Sequence, residues 1–218
     1  EIDGRDWSSD VCSSDLRARR VLSSRPGLLA CGDITGPTNE RTVAVTVLPE
    51  VAVGHTLSLI DCAGSGQHLL LLLATLNSFV FDYLARQKIG GIHLPFFLLE
   101  QLPVPRPEGF QSPCPWAPGE TLAAWVAARA LRLSYTAWDL QPFAVSCGFG
   151  GPPFPWDEPL RLRQRCEIDA ALFHLYGLDL AEVAYVLSTF PVFRRKEQQR
   201  HGEQRSEKNI LELLRNRV

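Results

Sequence analysis

The 218-residue chain contains no methionine, not even at its first position. A chain of this length ordinarily carries several, so the sequence is expected to be a piece of a longer protein. It also lacks any apolar run of bilayer length. The longest, Leu69 to Leu76, falls far short of the roughly 20 residues a membrane-spanning helix needs. The six cysteines (Cys12, Cys31, Cys62, Cys114, Cys147 and Cys166) form no Cys-x-x-Cys pair and have no histidine at ligand spacing. That excludes the usual zinc patterns, which cluster soft ligands. Scattered cysteines without a signal peptide point to a reducing cytoplasm.

The signatures of common enzyme chemistry are missing as well. No Ser/His/Asp or Cys/His constellation has workable spacing, and His55, His68, His93, His174 and His201 are scattered. No Pro-Asp…Asp/Glu-x-Lys nuclease pattern occurs, because Glu207-Lys208 lacks an upstream acidic partner in a strand. Gly64-Ser65-Gly66 and Cys147 to Gly151 are glycine loops read as turns, since a cofactor fingerprint requires a strand–turn–helix context.

What is present begins with an anomaly. Asp6 to Leu16, DWSSDVCSSDL, resembles the conceptual translation of a sequencing-library adapter, and residues 1–16 are set aside from the fold as a non-native leader. The leader holds five acids and one base, so removing it turns the formal charge from −2 to +2. That balance is mildly favourable for a nucleic-acid partner and too small to argue one.

Residues 17–40 are rich in Gly, Pro and Ser and read as irregular. Thr42 to Leu48 is β-branched at nearly every position and marks a buried strand, and His55 to Ile60 a second. Leu69 to Lys88 has no Pro or Gly and is apolar nearly all round its first half. Such a helix belongs in a core, with a polar, basic end at Arg86, Gln87 and Lys88 before Gly90-Gly91. The prolines of Pro103 to Pro107 end the next apolar segment. Helical patterns then occupy Glu120 to Tyr135, Thr136 to Ser146, Asp157 to Tyr176, Leu180 to Leu187 and Ser206 to Arg215. Trp125, Tyr135, Trp138, Phe143, Phe173 and Tyr176 are expected in the core. The predicted class is α+β: a small mixed α/β half over 17–107 around a central buried helix, a Pro-rich linker over 108–119, and an all-helical half over 120–218.

Leu72 to Pro103 resembles the target-recognition region of bacterial single-chain restriction–modification methylases (type IIG-like), which are adenine-specific DNA methyltransferases. The elements that carry the likeness are Leu76-Asn77-Ser78, Ala85 to Lys88, Gly90-Gly91 and Gln101-Leu102-Pro103. Thr38 to Thr42, Tyr135 to Leu140, Gly151 to Glu158, Glu167 to Gly177 and Leu187 to Lys196 match the same family's order, so the likeness runs over most of 33–217. Departures are Ile92 and Pro95, where the family carries Thr and Asn, and Ser206 to Asn209, where Thr-Lys-Arg is usual.

The resemblance implies a bacterial protein of phage defence that uses S-adenosylmethionine and acts on double-stranded DNA. The family's Asn-Pro-Pro-Tyr pocket is absent, and Gly151-Pro152-Pro153-Phe154 replaces its Asn by Gly in a turn. No catalytic, cofactor or metal residue is therefore assigned here; S-adenosylmethionine belongs to a methyltransferase domain outside these residues. What remains is DNA binding, by phosphate contact and groove-edge hydrogen bonds. The candidates are Arg86, Gln87, Lys88 and His93 at the helix end, Thr38, Asn39 and Arg41 in a polar turn, and the triplet Arg194, Arg195 and Lys196. Each set also has a plain alternative as a solvated surface or helix-end charge. Two rival readings stay open: a stand-alone specificity subunit that recruits a separate methylase, and a scaffold that touches no DNA.

Overall fold

A computed structural model describes residues 27–60 and 64–217. The leader, residues 17–26 of the irregular segment, and the start of the loop after Ile60 lie outside the described residues. The fold is α+β, a small antiparallel sheet followed by helices. Strands β1 (Leu28–Gly32), β2 (Val45–Leu48) and β3 (Leu57–Ile60) run in the order β2-β1-β3. The centre strand β1 lies in the segment expected to be irregular. Its residues Leu-Leu-Ala-Cys-Gly include no β-branched side chain, so local propensity carries no strand signal, and pairing on both edges makes the strand. Leu29 faces Val47, and Cys31 faces Val45, so these four share the core side of the sheet. Ala44 and Thr46 alternate to the other side and are exposed.

The long helix expected over Leu69 to Lys88 is two helices. Helix α1 (Gly66–Leu76) and helix α2 (Phe79–Lys88) are bent by 61° at Asn77-Ser78. Neither Pro nor Gly makes the break; two short polar side chains do. Ser78 caps α2 by accepting the Phe81 N–H at 3.3 Å, and its own hydroxyl donates to the Thr75 carbonyl at 2.7 Å. Asn77 turns its carboxamide away to the sheet. Among the described residues no single helix is long and apolar enough to cross a membrane; α1 and α2 satisfy that test only together, across their bend.

The short helix α3 (Phe96–Leu99) and a 3₁₀ turn at Pro107–Gln111 lead into α4 (Leu122–Ser134), α5 (Gln141–Ser146) and α6 (Glu158–Leu175). Helices α7 (Leu180–Ser188), α8 (Pro191–His201) and α9 (Arg205–Arg215) complete the described chain. The stretch expected as a linker packs into the core instead, because Phe110 and Cys114 are buried there. Helix α8 was not expected as a helix. Glu197 is its one buried residue, so no apolar stripe exists for a periodicity reading to find. A continuous core joins the sheet to α1, α4, α6 and α9. Trp125, Tyr135, Phe143 and Phe173 sit in it as expected, whereas Tyr176 is half-buried and Trp138 is 61% exposed.

Candidate nucleic-acid interface

The polar residues of the α1–α2 joint converge on one buried carboxylate. Asp82, with no exposed side-chain surface, accepts Arg41 Nε at 2.7 Å and Arg86 Nε at 3.1 Å. It also accepts the Thr42 N–H, at 2.9 and 3.1 Å to its two oxygens. Arg41 donates further to the Asn77 carbonyl at 2.5 Å and stacks 4.2 Å from the Phe79 ring centre. Arg86 donates to the carbonyls of Asn39, Glu40 and Thr189 and lies 4.0 Å from the Phe190 ring centre. Asn77 completes the joint as a surrogate strand. Its Oδ1 accepts the Val45 N–H at 3.1 Å, and its Nδ2 donates to the Val45 carbonyl at 2.8 Å, which covers the open edge of β2.

This geometry corrects the expectation for two residues. Arg86 is only 7% exposed in its side chain, and Arg41 25%. Their guanidinium donors are occupied by an internal carboxylate and backbone carbonyls, so neither is a free cation for DNA. The rest of the expected set is scattered. Gln87 and Lys88 are exposed at the end of α2, where Gln87 donates to the Tyr83 carbonyl and Lys88 to Gln101. His93 lies 3.0 Å from Asp33, an acid that disfavours a phosphate there. Thr38 and Asn39 are exposed in their turn, with Asn39 Nδ2 donating to Thr35 Oγ1. Arg194 pairs with Glu207 at 3.3 Å, Lys196 pairs with Glu40, and Arg195 is exposed with no ion-pair partner among the described residues.

A cleft of about 990 Å³ opens beside the joint, between the edge of β2, the first turns of α6 and one side of α8. Arg41, Arg161, Arg165, Lys196, Arg200 and Arg205 line it against Glu40, Glu158, Asp169 and Glu197, so six cations face four acids. Three of the acids already have partners. Glu197 accepts the Ser206 N–H and hydroxyl, Glu40 meets Lys196, and Glu158 meets Arg165 at 2.8 Å. The fourth, Asp169, accepts the Phe79 N–H at 2.7 Å, and burial raises its pKa to about 6. Arg161 and Arg200 have no acidic partner among the described residues. Arg161 and Arg200 are therefore the cleft's unpaired cations among the described residues, and only Arg41 and Lys196 of the expected residues belong to the cleft. Spacing carried the missing signal: Arg161 and Arg165, like Lys196 and Arg200, stand four apart on a helix and share a face.

No family model, curated protein or solved structure matches this chain.

Gly64 to Gly66 lies between β3 and α1, the strand–turn–helix context expected to be missing, and a Cβ on Gly66 would sit 2.7 Å from Cys147 Sγ and Ser146 Oγ. That glycine permits the close approach of α1 to α5. The 151–154 turn is structural too: Phe154 donates its N–H to the Tyr135 carbonyl and stacks on Phe149 at 4.8 Å. Burial pushes the Cys31 and Cys166 thiols up to about 11 and about 12, so both stay protonated and unreactive.

Proposed function

We propose that this chain is the DNA-recognition and clamping part of a site-specific adenine DNA methyltransferase of the restriction–modification type. The resemblance of residues 33–217 to that family supplies the reading, and one geometric observation supports it. That observation is the cleft, with Arg161 and Arg200 lacking acidic partners among the described residues and Lys196 and Arg165 held only in exposed pairs. Exposed pairs are worth little and exchange readily for phosphate. In this reading the rim of the cleft at Arg200 and the outer side of α8, with Arg195, touch one DNA backbone, and exposed residues such as Gln87, Lys88 and Thr38 face the grooves. Methyl transfer resides with a domain outside these residues, as does S-adenosylmethionine. A stand-alone specificity subunit would show the same DNA binding.

The test is fluorescence anisotropy of a labelled duplex across a salt series. Each phosphate contact contributes a log–log slope of about −0.9, so wild type is expected to lose affinity steeply. The variant Arg195→Glu/Arg200→Glu is expected to flatten the slope by roughly two contacts. A salt-independent signal, or a variant indistinguishable from wild type, refutes the proposal and favours a scaffold.

A further inference from the structure

Trp156 is the second most exposed large apolar residue of the described chain, at 67%, and it stands immediately before α6. Among the described residues, one of its ring faces carries a stacked cation and no aromatic partner meets the other. The Arg161 guanidinium lies 3.8 Å from the ring centre, held there by a 2.9 Å hydrogen bond to the Leu133 carbonyl. Arg161, Glu158 and Leu133 line the cleft and Trp156 does not, so the indole lies beside the cleft and is joined to it through Arg161. Leaving an indole in water costs apolar burial, and a guanidinium stacked beneath it polarises and orients the ring. An aromatic platform beside cations is how proteins hold a nucleobase and its phosphate together.

The size of the cleft narrows the ligand further. At about 990 Å³ it matches a pocket for one small molecule. A duplex does not enter such a space, and its bases are stacked internally where an indole cannot reach them. One strand with an unpaired base meets both conditions. The uncharged wall formed by Thr46 on β2 and by Ala44 just before it suits sugar and base surface, and Arg165 and Arg200 suit phosphates.

We propose that the cleft and Trp156 form a site for unpaired nucleotides of a DNA strand, with the base stacked on the open face of Trp156 and its phosphates on Arg161, Arg165 and Arg200. This inference rests on the nucleic-acid reading above and names the form of DNA that the cleft takes.

Binding of the full chain is compared between an intact duplex and the same duplex carrying a short single-stranded gap. Wild type is expected to favour the gapped molecule. Trp156→Ala is expected to lose roughly 5- to 150-fold on the gapped DNA, the range of one base–aromatic stack, and to stay within twofold on the intact duplex. Trp138→Ala, an indole 61% exposed with no cation over it among the described residues, controls for loss of surface aromatics and is expected to change neither. Equal binding of gapped and intact DNA overturns the inference, as does an unchanged gap preference in Trp156→Ala. If intact-duplex binding stays steeply salt-dependent in that case, the general DNA reading survives without it. Far-UV circular dichroism of each variant checks that the fold is kept. Trp156→Phe, which keeps a ring for stacking, is expected to retain most of the preference, and its loss would also overturn the proposal.

Discussion

Replacing Asp82 by Asn should be the most damaging conservative substitution in the described chain. The carboxylate is fully buried and accepts from Arg41, Arg86 and the Thr42 N–H. Asparagine keeps the shape but turns one acceptor oxygen into a donor that faces donors. It also leaves two guanidinium groups, one of them 7% exposed, without their countercharge. Breaking a buried pair by removing one partner costs about 3–5 kcal/mol, against a total stability of roughly 5–15 kcal/mol. For a domain of this size that is a fall in Tm of roughly 6–20 °C. Arg86→Met should cost less, because Asp82 keeps Arg41 and its backbone donor. The double variant should cost less than the two singles added together, with a coupling of about 0.5–3 kcal/mol. Urea denaturation followed by circular dichroism and tryptophan fluorescence measures all three. An Asp82→Asn midpoint within about 0.5 kcal/mol of wild type would show that the joint is not held by this carboxylate.

Two further predictions concern the same region. Asn77→Ala removes the surrogate strand from Val45 and should cost about 1–3 kcal/mol. Hydrogen exchange at the Val45 amide should quicken, and unchanged protection there would refute the edge-cap role. Asp169 titrates at about 6 in the fold against an ordinary value of 3.8. The folded state therefore binds the extra proton between those values, and stability falls as pH rises through that window, by on the order of 3 kcal/mol. Asp169→Asn can still accept the Phe79 N–H and should flatten this slope, standing level with or above wild type at pH 7. A wild-type curve that instead rises from pH 4 to 6 relative to the variant would reverse the argument.

The class and most elements were legible because their signals are local. The β-branched run around Val45 to Leu48 and the Ala-rich α4 announce themselves by composition or period, and α6 by the Gly/Pro-rich break before it and the Gly177 stop after it. Three features were not local. Strand β1 is made by pairing on both sides, and α8 is a polar helix held by the Glu197–Ser206 contact and by Phe190 at its start. The bend at Asn77-Ser78 depends on a strand more than thirty residues earlier in the chain. The candidate site divides in the same way. Exposed polar residues such as Lys88 and Arg195 were legible as surface, but a basic side chain in sequence does not say whether its charge is used inside. Arg86 has four such internal partners. The cleft collects residues from β2, α6 and α8, and no window of sequence contains all three.

The joint and the cleft share walls, and that has a consequence for how a ligand would act. Arg41 and Asn77 belong to both, and the Lys196–Glu40 pair ties α8 to the turn whose carbonyls hold Arg86. A phosphate that captures Lys196 breaks only an exposed pair, 44% and 33% open to solvent, which carries little stability. The Asp82 centre beneath it is buried and stays closed. Rigid support under exchangeable surface charge is the arrangement that keeps a site preformed. Occupation of the cleft should therefore leave the 61° bend between α1 and α2 unchanged. The Leu76-Asn77-Ser78 and Ala85-Arg86 elements then owe their role to holding that joint, and any discrimination between bases has to come from side chains that reach outward from it.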